Sequence, residues 1–165
     1  MTLVNIRKAE ARDVEEISNI WKIICAERKF TVVSHPFTSE QEKEYISSLS
    51  NREGIFVAEF KGKIIGFQSL DLWAKFSQYF SHVGTIGTFV LPKWRKKNIG
   101  LQLAQYTFNF ARKHNYEKIL IYVRAINKIA IAFYKKLGFL QRGVLSRQVK
   151  IDEQYEDEIF MEMFL

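Results

Sequence analysis

The chain is predicted to be a single domain of the α/β (α+β) class, with about seven strands in one sheet and about four flanking helices. Two observations carry this reading. Apolar spacing switches between the two-residue period of strands and the 3.6-residue period of helices, in the order βαα, βββ, α, β, α, ββ. A length of 165 residues with 47% hydrophobic and 15% aromatic content suits one buried core and leaves no room for a second. The domain is read as residues 1–165.

Leu3 to Arg7 alternates apolar and polar as a first strand. Asp13 stands where an N-cap should, ahead of Val14, Ile17, Ile20, Trp21 and Ile24 at helical spacing. After Arg28 the periodicity lapses through Phe30 to Phe37, an apolar loop that either walls a substrate site or packs beneath the chain. Thr38 or Ser39 caps a second helix to about Leu49, and Glu42 follows Ser39 at capping-box spacing. Gly54 to Phe60 and Lys63 to Leu70 read as two strands joined by the tight turn Lys61-Gly62, with Val57, Ile64, Ile65 and Phe67 toward the core. The aromatic-rich connection from Asp71 to Ser81 has three readings: a substrate wall, a seal on the core's edge, or a dimer contact.

Val83 to Leu91 is the fourth strand, in which Gly84 and Gly87 mark a bulge or a close backbone approach. A long helix begins near Ile99, with Leu103, Thr107, Phe110 and His114 on one stripe; His114 reads as a favourable charge at the helix's C-terminus. Ile119 to Val123 is a fifth strand. Asn127 caps a further helix that carries Ala130, Phe133, Tyr134 and Leu137 on one face and ends before Gly138. Two strands, Phe139 to Ile151 and Tyr155 to Phe164, close the chain around the Asp152 turn, with Ile159, Met161 and Met163 on one face and Glu158 and Glu162 on the other.

Composition bounds the partners. The net charge of +7 admits nucleic acid, an anionic membrane or an acidic small ligand, and its clustering near one loop favours the ligand. The single cysteine, Cys25, allows neither an internal disulfide nor a zinc set; its plain reading is a buried thiol in a helix. The three His are scattered, so no metal is expected. No apolar run nears the ~18 residues of a membrane span and no basic-then-apolar leader opens the chain, so a cytoplasmic protein without membrane contact is expected.

The functional signal lies in Thr88 to Leu101, where a strand stops at Pro92, passes through a cationic loop and enters a helix. Free amides and the positive dipole end of a first helical turn attract anions, and Lys93, Arg95, Lys96 and Lys97 add charge at the same place. The loop is neither a Walker sequence nor Gly-x-Gly-x-x-Gly. Arg95-Lys96-Lys97-Asn98-Ile99-Gly100 resembles the acyl-CoA loop Arg/Gln-x-x-Gly-x-Gly/Ala of the GNAT superfamily of N-acetyltransferases. One position departs: Asn98 replaces the first glycine, and Asn is the residue that most readily takes the positive φ a glycine supplies. Downstream, Asn127-x-x-Ala130-x-x-x-Tyr134-x-x-x-Gly138-Phe139 is similar to a second segment of that family, at the expected separation.

The resemblance implies a GNAT fold, a mixed and mostly antiparallel sheet whose central strand is bulged and splays from its neighbour, so that the pantetheine arm of acetyl-CoA adds like a strand. It implies a cofactor site at Thr88, Phe89, Val90, Arg95, Lys96, Lys97, Asn98, Ile99, Gly100, Leu101, Asn127 and Tyr134. By the same likeness the Thr88 amide faces the thioester oxygen, Val90 faces the pantetheine amides, and Tyr134 is the acid for the departing thiolate. Without the likeness, Tyr134 and Asn127 read as a core residue and a helix cap. The acidic residues that many members use as base correspond here to Thr85 and Tyr122, which leaves His82, at the start of the fourth strand, or a water relay past Tyr122. The expected activity is acetyl-CoA-dependent N-acetylation of a primary amine on a small molecule, with a loose likeness to phosphinothricin-type members. The alternative acceptors are protein N-termini or lysines. A rival class is a non-catalytic basic module that binds nucleic acid or CoA, with Trp94 as a stacking aromatic; the match of Asn127 and Tyr134 counts against it. The protein is expected to be a monomer or homodimer.

Overall fold

The structure, a computed structural model, describes residues 4–165; the expected strand start at Leu3 lies outside them. Strands β1 (Asn5–Lys8), β2 (Gly54–Phe60), β3 (Lys63–Leu72), β4 (Val83–Val90), β5 (Lys118–Arg124), β6 (Leu140–Ile151) and β7 (Gln154–Phe164) form one sheet in the order β1-β2-β3-β4-β5-β7-β6. Helices α1 (Val14–Ala26), α2 (Ser39–Ser48), α3 (Ile99–Lys113) and α4 (Lys128–Lys136) lie on its two faces. All neighbouring strands are antiparallel except β4 and β5, which are parallel because α3 carries the chain back across the sheet between them. The sheet thus has the expected mixed order, seven strands and four helices.

Alternation along the strands feeds two cores. One face packs Phe56, Leu70, Ile86, Ile119, Ile121 and Met161 against the α3 and α4 side chains Leu103, Ala104 and Tyr134. The other packs Ile55, Val57 and Phe67 against Ile17, Ile20, Trp21 and Ile24 of α1, with Cys25 buried among them. Each fully buried large side chain contributes roughly 1.5–3 kcal/mol. Among the described residues no helix is long and apolar enough to cross a membrane.

Three local expectations change. Asp13 precedes α1 but its carboxylate does not cap it; the carboxylate accepts from the Glu10 amide at 2.8 Å and from the Arg7 guanidinium at 2.6 and 2.8 Å, because a buried carboxylate gains more from a charged fork than from one amide. The capping box of α2 is Thr38 with Gln41, not Ser39 with Glu42: the Gln41 amide donates to Thr38 Oγ1 at 3.2 Å and the Thr38 amide to Gln41 Oε1 at 2.9 Å. That frees Glu42 to turn inward. Finally, β4 is not bulged. Its register with β3 runs without a break from Gly66↔Val90 to Leu72↔Gly84, and the shifts in the sheet lie elsewhere, between β2 and β3 at Ala58/Glu59 and between β6 and β7 at Gln141/Gly143 and Leu145/Val149. Gly84 is instead a packing glycine, since a Cβ there would come within 3.0 Å of the Leu70 and Tyr116 side chains.

Candidate active site

The expected splay of the central pair is present. Pairing of β4 with β5 covers only Val83↔Lys118, Gly84↔Ile119 and Thr85↔Leu120, and then stops. On the other side of β4, the Leu91 amide donates to the Ile65 carbonyl at 3.0 Å and the Trp73 amide to the Val83 carbonyl at 3.1 Å, so odd-numbered residues of β4 address β3. The amides of Thr88 and Val90 therefore point into the gap beside β5. Backbone amides left without a strand partner need water or a ligand. Phe89 differs from its neighbours: its backbone addresses β3, and its ring sits on the α1 side against Trp21, 4.3 Å between centroids.

The side chain of Thr88 points to the α4 face. Its Oγ1 accepts from Gln68 Nε2 at 2.7 Å and lies 3.0 Å from the Tyr134 hydroxyl. With Gln68 as donor, the Thr88 hydroxyl proton is free to go to Tyr134 Oη, and the phenolic proton is then free for a third partner. Burial pushes the Tyr134 hydroxyl up, and the Thr88 contact partly offsets that, so Tyr134 is a protonated group at neutral pH. Gln68, fully buried on β3, carries no motif and becomes visible only through the register Gln68↔Thr88. Its Oε1 has no hydrogen-bond partner.

The cationic loop enters α3 through Asn98, which takes the left-handed conformation, φ 60 and ψ 14. This is the geometry expected of the residue in the glycine position, and Lys96 joins it at φ 59. The first-turn amides of Ile99, Gly100 and Leu101 are open, since the intrahelical ladder starts with the Gln102 amide on the Asn98 carbonyl at 3.1 Å, and no acidic residue occupies that turn. Lys96 and Lys97 are exposed beside it. Gly100 lets α4 approach: a Cβ there would lie 3.1 Å from the Phe133 ring.

Arg95, expected to add charge for an anion, is otherwise engaged. Its guanidinium grips the Glu27 carboxylate at 2.7 and 2.5 Å and its Nε donates to the Val90 carbonyl at 3.0 Å, because a carboxylate at the end of α1 offers it a bidentate partner. Such a half-exposed pair is worth at most ~1 kcal/mol, so its effect is to fix the loop against α1 and β4. Asn127 is the cap: its Oδ1 accepts from the Ala130 amide at 3.1 Å while its Nδ2 donates to the Phe30 carbonyl at 3.3 Å. It thereby ties the loop after α1 to α4. His82 is not brought to this place. It lies at the opposite end of β4, its carbonyl accepting from the Glu117 and Lys118 amides, and Thr88 is six residues along the strand, roughly 20 Å away. Trp73, Phe76 and Phe80 cluster at that same far end, so they do not wall the gap.

A match to the model of the acetyltransferase (GNAT) family covers residues 17–139, three-quarters of the chain. The chain belongs to the GNAT acetyltransferase family. Among its relatives, an N-alpha-acetyltransferase of Sulfurisphaera tokodaii is 29% identical over 151 residues, 85% of this chain and 82% of that one. An N-acetyltransferase of Methanocaldococcus jannaschii is 32% identical over 96 residues, but that match spans only 58% of this chain and 42% of the relative. The solved structure of a GNAT phosphinothricin acetyltransferase from Sinorhizobium meliloti, in complex with AcCoA, superposes with a TM-score of 0.89 at 19% identity, covering 100% of this chain and 89% of that one; the likeness is one of fold. In this GNAT chain β4 parts from β5 after Thr85, Arg95 of the loop entering α3 bonds the Val90 carbonyl of that strand, and Tyr134 meets the Thr88 side chain.

Proposed function

We propose that this GNAT enzyme transfers an acetyl group from acetyl-CoA to the primary amine of a small molecule. The observation that carries the reading is the convergence at Thr88: an amide facing the open gap, and a side chain joined to Tyr134. Acetyl-CoA supplies an acyl thioester already activated for attack by an amine. The residues present fit it. The open amides of Ile99, Gly100 and Leu101, with Lys96 and Lys97 beside them and no acid in the turn, suit a pyrophosphate. The amides of Thr88 and Val90 suit an extended polar chain laid along β4.

The residues then have separate tasks. The Thr88 amide donates to the oxygen on which negative charge develops. Tyr134 gives its phenolic proton to the departing sulfur and is restored from solvent, the Thr88 hydroxyl holding Oη in place meanwhile. Water is kept from the inner end of the gap by Ile86, Ile121 and Tyr134, all buried.

Polypeptide α-amines are the second reading, favoured by the N-alpha-acetyltransferase of Sulfurisphaera tokodaii named above. The first test is thermal: millimolar acetyl-CoA is expected to raise Tm by linkage. If acetyl-CoA leaves Tm unmoved while DNA raises it, the chain is a basic binding module. The second is an acceptor screen that detects the thiol of released CoA, with small amines in one arm and peptides with free N-termini in the other. Turnover confined to the peptide arm would replace the small-molecule reading.

A further inference from the structure

On the face of the sheet opposite Tyr134 lies a pocket of about 550 Å³, a volume suited to a small organic molecule. The rings of Trp21, Phe37, Phe67 and Phe89 form its walls. They brace one another, Trp21 meeting Phe37 at 5.2 Å and Phe67 at 5.5 Å between centroids, so the cavity does not depend on a guest to hold its shape. Ser18 fixes the loop side by donating to the Phe37 carbonyl at 2.8 Å.

The charged lining of this pocket has one sign. Glu42 and Glu44 line it, with no Lys, Arg or His, although the whole chain carries a net charge of +7. Glu42 is 3% exposed and its Oε2 has no hydrogen-bond partner. Tyr45 also lines the pocket, but its hydroxyl is committed to Asp71 at 2.5 Å. A carboxylate oxygen buried without a partner costs stability, and a cation is the partner that recovers most of that cost. Aromatic faces attract the same guest. The pocket reaches β4 at Gly87 and Phe89, the residues on either side of Thr88.

We propose that this pocket is the acceptor site and that it selects an apolar primary amine lacking a carboxylate or phosphate, an arylalkylamine in type, whose ammonium docks on the Glu42 carboxylate among the aromatic rings. The proposal rests on the N-acetyltransferase reading and narrows its substrate class. Only a neutral amine attacks the acyl carbon, so one ammonium N–H bond breaks and one O–H bond forms on the Glu42 carboxylate, which burial makes more ready to hold the proton; as the C–N bond forms and the C–S bond breaks, the nitrogen's second proton passes to solvent and the sulfur takes the Tyr134 proton. Amino acids carry a carboxylate into the same acidic pocket and are repelled.

The test uses the whole chain and two probes. Phenyltrimethylammonium, which cannot be acetylated, is titrated by calorimetry into the native protein and into Glu42→Gln; we expect binding to the native protein and at least tenfold weaker binding to the variant. With acetyl-CoA present, 2-phenylethylamine is expected to exceed phenylalanine at least 100-fold in kcat/KM. Equal binding of the cation to both proteins, or equal use of phenylalanine, overturns the proposal. The acetyl-CoA shift in Tm is measured alongside in both proteins. A lost shift with intact cation binding removes the acetyltransferase reading, whereas an intact shift with no Glu42 effect removes only this one.

Discussion

The two faces of β4 around Gly87 to Val90 are built on opposite rules. Toward α4, Thr88 is held on both sides, by Gln68 at 2.7 Å and Tyr134 at 3.0 Å, and each group limits where the next one points. Toward α2, Phe89 and Gly87 border a cavity whose one buried carboxylate oxygen has no partner. A proton donor must be in place before the reaction, so Thr88 and Tyr134 are held by partners from the protein itself, although Gln68 Oε1 behind them has none. A recognition surface leaves its polar group for the guest to satisfy, and carries the cost until then. The difference predicts that variants on the first face alter turnover and those on the second alter acceptor affinity.

The largest effect separating the faces is expected at Tyr134. Tyr134→Phe keeps the ring and its packing on Phe139 at 5.3 Å but removes the donor. A fall in kcat of roughly 10²-fold or more is expected, with little change in acetyl-CoA Kd. Unchanged kcat with a modest loss of Tm would make Tyr134 a core residue only. Next comes Thr88→Val, which deletes the hydroxyl between Gln68 and Tyr134. It leaves the Gln68 amide with a second unpartnered atom, so a stability loss of about 1–3 kcal/mol is expected by chemical denaturation, together with a kcat loss smaller than that of Tyr134→Phe. A variant as stable and as active as the native chain would dissolve the relay.

Two carboxyls sharpen the comparison through pH. Arg7 holds Asp13 below the usual carboxylate range, so its contribution is full above the unfolded value near ~3.9 and is lost as pH falls through the folded value. Burial pushes Glu42 up, so between the unfolded value near ~4.3 and the folded value the native state binds more protons, and stability falls as pH rises through that window. Glu42→Gln is therefore expected to raise Tm at pH 8 and to lose that advantage in acid, whereas Asp13→Asn lowers Tm at pH 8. A Glu42→Gln protein less stable than the native one at pH 8 would mean that the pocket's carboxylate is already satisfied. The smallest effect is expected at the loop: Asn98→Gly keeps acetyl-CoA Kd, while Asn98→Val, forced to φ 60, weakens it about tenfold through roughly 1–2 kcal/mol of backbone strain. Equal Kd in the two variants would detach cofactor affinity from the left-handed turn.

Residues close in sequence determined much of this protein by themselves. The element order, the turn at Lys61-Gly62 and the cap at Asn127 follow from spacing and from what each side chain permits its own backbone, and the left-handed Asn98 from its place at a glycine position of the GNAT loop; all four read correctly from the chain. Contacts made across the sheet had no such trace. Gln68 and Thr88 are neighbours only because β3 and β4 pair in one register, and Arg95 meets Glu27 only because α1 ends beside the loop. His82 and Thr88 share a strand, yet the strand's rise carries them apart, while Glu42, a surface residue by type, faces inward once Thr38 and Gln41 take the cap. Local backbone preference is short-ranged and is written in consecutive residues; which side chains share a cavity depends on register and helix rotation, and only the folded chain decides those.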